Sequence, residues 1–279
     1  MEPMDSRGSF VTGCDLPCVL RAEGGPGYVL YEGFAEPSVG LEMLEDVVSM
    51  ARAAAAGEPV EGFVMKESQP DFGGRNPEDL VSKIFRLHRR PAFSEFLRDP
   101  RVVQILVEAI GPDVDCFLSQ FIFKNPGAWG QPWHQDSYYF PFEPGRPIVA
   151  LWLAITKATA ANGCLHVLAG SQAEPVHRHI PDRRPKALYG YVEIVDHDMA
   201  ASEMCLLEPG DLLVFDSHLM HRSTDNGSNQ IRAAMVWHFA SAGTTDLGMK
   251  LDSGQRIVNP IHDWMPLLRG GCLLGNGSI

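Results

Sequence analysis

No apolar run in this 279-residue chain approaches the ~20 residues that a membrane-spanning helix needs. The longest unbroken run, Ile148 to Ile155, has the length of a buried strand. The first residues carry Glu2 and Asp5 and no apolar core segment, so they do not read as a signal peptide. Basic residues are outnumbered, 23 Lys+Arg against 35 Asp+Glu, and the formal net charge of -12 repels a phosphate backbone or an anionic lipid surface. The expectation is therefore no nucleic acid and no membrane among the partners. The 6 cysteines are scattered, and only Cys14 and Cys18 lie close together. A lone C-x3-C without a second pair is not a zinc framework, which predicts free, mostly buried thiols in a reduced, cytoplasmic setting. There is no repeat at a fixed period and no low-complexity tract beyond Ala53 to Ala56.

What is present suits a soluble globular chain with an ample core: 45% hydrophobic and 21% charged residues. Residues 1–26, rich in Gly, Pro and charge, read as an irregular lead-in to a single domain over 27–279. Gly27 to Tyr31 is a short strand candidate. Met43, Leu44, Val47, Val48 and Ala51 fall at helical spacing between Pro37 and Gly57. Glu58 to Glu78 reads as a long loop. A short helix from Pro91 is followed by one with Asp99 as N-cap, Pro100 at its first position and Gly111 as its stop. After Gly111 the texture changes to short apolar or alternating runs punctuated by Pro126-Gly127, Asn162-Gly163, Pro209-Gly210 and similar pairs. That texture predicts a mainly β fold with flanking helices, a jelly roll whose core spans about 115–240, interrupted by an insertion at about 172–204.

Within this region, Gln131-Pro132-Trp133-His134-Gln135-Asp136 carries an imidazole and a carboxylate two residues apart. On an extended strand both face one way. A second imidazole would complete the 2-His-1-carboxylate face that holds non-heme Fe(II) with positions left open. His218 and His221 are the downstream candidates; three residues apart, they do not share a face of regular strand. Arg232 sits in the apolar run Ile231 to Ala240 and must meet an anion or reach solvent. It serves either a salt bridge at a sheet edge or, with Ser223, the carboxylate of a small dicarboxylate, which a guanidinium fork fits in bidentate fashion.

His134-x-Asp136, Trp152, Asn162-Gly163 through Ser171, Pro209-Gly-Asp211, His221-x-Ser223 and Arg232, in this order and spacing, resemble the phytanoyl-CoA dioxygenase family of Fe(II)/2-oxoglutarate oxygenases. The resemblance covers about Gly27 to Ala240. It departs at Gly170-Ser171-Gln172, where relatives have glycine-serine-histidine, and at Leu168-Ala169, where many have a proline. The resemblance implies a cupin-like double-stranded β-helix, with Fe(II) held by His134, Asp136 and His221 and 2-oxoglutarate anchored by Arg232 and Ser223. It implies oxidation of a small-molecule substrate by O2, with 2-oxoglutarate converted to succinate and CO2. Related halogenases carry a small residue in place of the carboxylate, so Asp136 favours hydroxylation or another oxygenase outcome.

Trp152 either walls the cosubstrate pocket or is plain core, and Lys124 points either inward or into solvent. Gln131 is placed to orient a ligand. Expected specificity segments are Glu58 to Glu78, Phe85 to Arg90, Tyr138 to Phe140 and the insertion, whose His177, Arg178, His179, Arg183, Arg184 and Lys186 suit an anionic or CoA-bearing substrate or a solvated lid. Abundant Ala, Gly and Arg point to a GC-rich bacterial source and to tailoring of a secondary metabolite, in a monomer or homodimer. Two rivals stand beside this reading: a zinc-dependent jelly-roll isomerase or hydrolase, and a non-catalytic ligand-binding jelly roll.

Overall fold

The computed structural model describes residues 15–67, 73–74, 76–184, 191–250 and 253–275. Its centre is a large antiparallel sheet. In spatial order it runs Tyr28–Tyr31, Leu212–Asp216, Ile148–Ala154, Arg232–Ser241, Val114–Lys124, Met265–Arg269 and Cys272–Leu273, with Val81–Phe85 also on Val114–Lys124 and Phe63–Lys66 beyond it. A smaller sheet of Glu203–Cys205, Leu165–Val167 and His221–Ser223 faces it. Together they form the double-stranded β-helix.

The strand Ile148–Ala154 shows why its sequence is apolar without alternation. Val149, Leu151 and Leu153 pack outward into the cluster that holds Met43, Val47, Phe93, Phe96 and Leu106 of the helices. Ala150, Trp152 and Ala154 face inward, toward Leu165 and Val167 of the small sheet. Both faces are therefore buried, and every position is apolar. The helices Pro37–Ala55, Pro91–Leu97 and Pro100–Ala109 lie where their apolar spacing places them, against the outer face. Phe96 stacks on Trp237 at a centroid separation of 4.9 Å. Asp99 caps the third helix by accepting from Arg101 N at 2.8 Å.

Four expectations need correction. The lead-in is not irregular throughout: Leu16–Arg21 is a helix that buries Leu16 and Leu20, and buried Gln172 donates to Gly25 O at 2.7 Å. Glu58 to Glu78 is not simply a loop, because Phe63–Lys66 pairs with Val81–Phe85. The β structure also extends past 240, since Met265–Arg269 pairs with the start of Val114–Lys124, while Tyr28–Tyr31 is the strand expected before the helices and covers Leu212–Asp216. Finally, Gln131 to Asp136 is not a strand. Pro132 has no N–H to donate, His134 makes a single bridge to His221, and Asp136 begins the 3-10 turn Asp136–Tyr139.

Candidate active site

The bridge between His134 and His221 brings the two imidazoles together. His134 N donates to His221 O at 2.9 Å, and His221 N donates to His134 O at 3.0 Å. Each ring is then oriented by its own backbone: His134 Nδ1 lies 2.8 Å from Pro132 O and His221 Nδ1 lies 2.9 Å from Leu219 O. A carbonyl only accepts, so both rings carry their hydrogen on Nδ1 and turn the Nε2 lone pair inward. Asp136 Oδ1 stands 3.5 Å from His134 Nε2 and 3.7 Å from His221 Nε2. These separations are too long for hydrogen bonds. One ligand atom from each of the three residues falls within 4.8 Å of the others, and all three residues are buried. Two nitrogens and one carboxylate oxygen with matched lone pairs form a donor set that fits non-heme iron.

The electrostatics agree with ligand duty. Burial, with the neighbouring His134 ring, pushes His221 down to about 4, so its imidazole is neutral near pH 7. Burial alone would raise Asp136. The imidazoles of His221, His134 and His238 outweigh it and hold the carboxyl well below its usual range. His238 was not anticipated from the sequence; its Nε2 donates to Asp136 Oδ2 at 2.9 Å. Its position was legible, because His238 lies six residues beyond Arg232 on one strand and so on the same face.

Arg232, in the same strand, is 2% exposed. It is not at a sheet edge, since its strand is flanked by Ile148–Ala154 and Val114–Lys124. Its Nε donates to Gly163 O at 3.2 Å, its guanidinium carbon lies 5.6 Å from the centroid of the Trp152 ring, and its buried Nη1 has no hydrogen-bond partner among the described residues. A buried guanidinium with an unused donor at a cavity wall has the chemistry to receive an anion. Desolvation lowers it to about 10, still charged at neutral pH.

Lys124 does not reach solvent. It is 3% exposed, with Nζ at 2.8 Å from both Ser223 Oγ and Thr224 O. Burial, with Arg232 nearby, holds its pKa well below the usual range. Gly163 has to be glycine for this packing: its φ is +85°, and a Cβ there would come within 2.4 Å of Thr224 O and 2.5 Å of the Lys124 side chain. Ser223 Oγ also accepts from Gln131 N at 3.1 Å. With both lone pairs taken, its own O–H is left to donate. Gln131 Nε2 lies 3.0 Å from His134 Nε2, and Gln131 Oε1 accepts from Lys83 Nζ at 3.2 Å.

These groups line one cavity of about 410 Å³. His134, Asp136, His221, Ser223, Arg232, Trp152 and Gln131 all border it, whereas Lys124 acts from behind Ser223. Lys83, His238 and Tyr191 border it unforeseen. The expected specificity segments contribute Phe63, Met65, Phe85, Tyr139 and Phe140 as an apolar wall. His218 does not border it; its Nδ1 lies 3.1 Å from Glu174 O. The basic residues of 172–204 are largely matched internally, Arg183 by Glu193 at 3.0 Å and Arg184 by Asp182 at 2.6 Å. Lys186 lies outside the described residues.

The phytanoyl-CoA dioxygenase family model matches residues 25–234. The chain is 29% identical over 192 residues to the peroxisomal phytanoyl-CoA dioxygenase of Bos taurus, a match covering 67% of this chain and 57% of that protein. It thus spans less than two thirds of that relative's length. Among solved structures, the apo form of the non-heme monooxygenase ThoJ superposes with a TM-score of 0.62 at 20% identity, covering 83% of this chain and 79% of that one. The epimerase SnoN, in complex with Fe3+, alpha ketoglutarate and nogalamycin RO, superposes with a TM-score of 0.59 at 15% identity, covering 86% and 94%. The two structural likenesses show a shared fold. With three quarters of its length under the family model, this chain belongs to the phytanoyl-CoA dioxygenase family.

Proposed function

We propose that the protein is a non-heme Fe(II)/2-oxoglutarate-dependent oxygenase that hydroxylates a small molecule, with His134, Asp136 and His221 as the iron ligands. The observation that carries this reading is one cavity bordered both by two inward Nε2 lone pairs beside a carboxylate and by a buried arginine with an unused donor. The first fits the metal and the second fits the acid that must accompany it. Iron and 2-oxoglutarate supply the oxidising chemistry, in which O2 is consumed, 2-oxoglutarate yields succinate and CO2, and one oxygen atom goes to a substrate C–H bond.

The chain's own residues bind, orient and exclude water. Arg232 offers its free Nη1 to a carboxylate of 2-oxoglutarate, and Ser223 donates its O–H to the same group. Lys124 holds Ser223 in place, and Trp152 covers the guanidinium with its ring face. Lys83 presents a second cation to the cavity, steadied by Gln131. His238 fixes the plane of Asp136. Phe63, Phe85 and Phe140 provide an apolar wall against which a substrate C–H bond is held. SnoN's complex contains nogalamycin RO, and tailoring of a bacterial secondary metabolite is the finer form of this proposal. A reducing, cytoplasmic setting goes with it, supported by Cys116, Cys164 and Cys205 buried as free thiols.

The test is anaerobic addition of Fe(II) and 2-oxoglutarate to metal-stripped protein. The expected outcome is a weak visible charge-transfer band, and O2-dependent succinate once air is admitted. No band and no succinate across a substrate panel would reject the oxygenase, and zinc-dependent turnover would put an isomerase or hydrolase in its place.

A further inference from the structure

A second group of two imidazoles and a carboxylate lies outside the cavity, at the root of the segment between Gln172 and Met204. Ligand atoms of Glu174, His177 and His197 all fall within 4.8 Å of one another. His177 Nε2 is 2.7 Å from Glu174 Oε2; His197 Nε2 is 3.1 Å from the same oxygen and 3.2 Å from Oε1.

The tautomer of His197 makes this more than a hydrogen-bonded trio. Its Nδ1 lies 2.9 Å from the backbone oxygen of Asp198 and its Nε2 faces the Glu174 carboxylate; both partners can only accept, so a ring with a single N–H matches only one of them. With the hydrogen on Nδ1, the Nε2 lone pair faces a carboxylate, an arrangement that repels unless a positive charge lies between the two, either a second ring proton or a metal ion. Asp196 Oδ1 stands 3.9 Å from His177 Nδ1, too far for a hydrogen bond, and adds a second negative charge beside the group. The side chains are 19% (His177), 22% (His197) and 38% (Glu174) exposed, open enough for an ion to enter from solvent.

We propose that Glu174, His177 and His197 bind a divalent transition-metal ion, zinc by ligand type, at a second site separate from His134, Asp136 and His221. Glu174 and His177 stand where the chain leaves Ser171–Ala173, and His197 stands where it returns from the hairpin of His179–Pro181 and Val192–Ile194. The ion ties the two roots of that hairpin together. The hairpin leads directly to Tyr191 on the cavity wall. Its root also grips the residue between two candidate iron ligands. Gln135 Oε1 accepts from His177 N at 2.8 Å, Gln135 Nε2 donates to Pro175 O at 3.1 Å, and Gln135 N donates to His179 Nε2 at 3.1 Å. Zinc here stiffens the support behind His134 and Asp136.

The test is equilibrium dialysis of the metal-stripped full chain against Zn2+, with bound metal counted by mass spectrometry. The expected counts are two equivalents for the unaltered protein, one for His177→Ala/His197→Ala and one for His134→Ala/His221→Ala. Zn2+ should also raise the Tm of the His134→Ala/His221→Ala protein. A single equivalent in the unaltered protein that survives loss of His177 and His197 overturns the proposal and leaves a protonated His197 as the balancing charge. Two equivalents retained in that variant overturn it as well. Should the double variant lose its far-UV circular dichroism, Glu174→Gln carries the comparison. A weakening of the second equivalent by about tenfold or more is then expected, and unchanged binding sinks the idea. The zinc count is independent of succinate formation, so failure here and failure of the oxygenase reading are told apart.

Discussion

Asp136 Oδ2 accepts a hydrogen bond from His238 Nε2 at 2.9 Å, across 102 residues of sequence, with both side chains buried. Asp136 Oδ1 is left for the proposed metal position between His134 and His221. Replacing His238 by alanine should therefore free the carboxylate to rotate without removing a ligand. The expected result is a loss of about 10- to 100-fold in Fe(II) or Ni(II) affinity, measured by titration, with the fold retained. An unchanged Kd would show that packing alone orients Asp136.

His218 and His221 separate cleanly. His221→Ala should abolish tight metal binding, because one of two inward lone pairs is lost. His218→Ala should retain it, since that ring touches Glu174 O and not the cavity. Metal content after gel filtration decides the matter, and the reverse pattern would overturn the ligand assignment.

Arg232 cannot be replaced by lysine without loss. A lysine ammonium keeps the charge but not the fork that donates to Gly163 O with one nitrogen and leaves another free. Titrating 2-oxoglutarate into the Fe(II) protein should show weaker binding for Arg232→Lys. For Arg232→Ala the expected loss is on the order of 2–5 kcal/mol of binding. Equal affinity in both variants would remove Arg232 from the cosubstrate site.

The pH dependence of the metal-free protein has a definite sign. His221 lies at about 4 when folded and near 6.5 when unfolded, so between those values the unfolded chain holds a proton that the folded one refuses. Stability of the metal-free protein should fall as the pH drops through that window. Asp136, held below its ordinary range, adds loss of the same sign only under about pH 4. Thermal melts at about pH 7 and about pH 5 check this, and a higher Tm at the lower pH would contradict it. Metal affinity of the folded protein should decline as the pH nears 4, where protons begin to compete for the His221 imidazole.

The local pattern of the chain carried a good deal of this site. Proline and glycine at helix ends, apolar spacing and turn pairs marked Pro37–Ala55, Pro91–Leu97 and Pro100–Ala109 and the strands Tyr28–Tyr31, Ile148–Ala154 and Arg232–Ser241, because those signals act over a few residues; they did not mark Leu16–Arg21 or Met265–Arg269. A charged arginine inside an apolar strand marked Arg232 as a residue needing a partner, because burying a charge alone is costly, and the fold does bury it. Spacing alone assigned no partner across strands. Lys124 turned inward because antiparallel register sets it opposite Arg232 and beside Ser223; Lys83 entered the cavity because it pairs with Ile122. His134 and Asp136 converge through a bridge to His221 and a 3-10 turn, not through the strand geometry their spacing suggested. Strand periodicity says which side chains share a face, and long-range pairing says which faces meet.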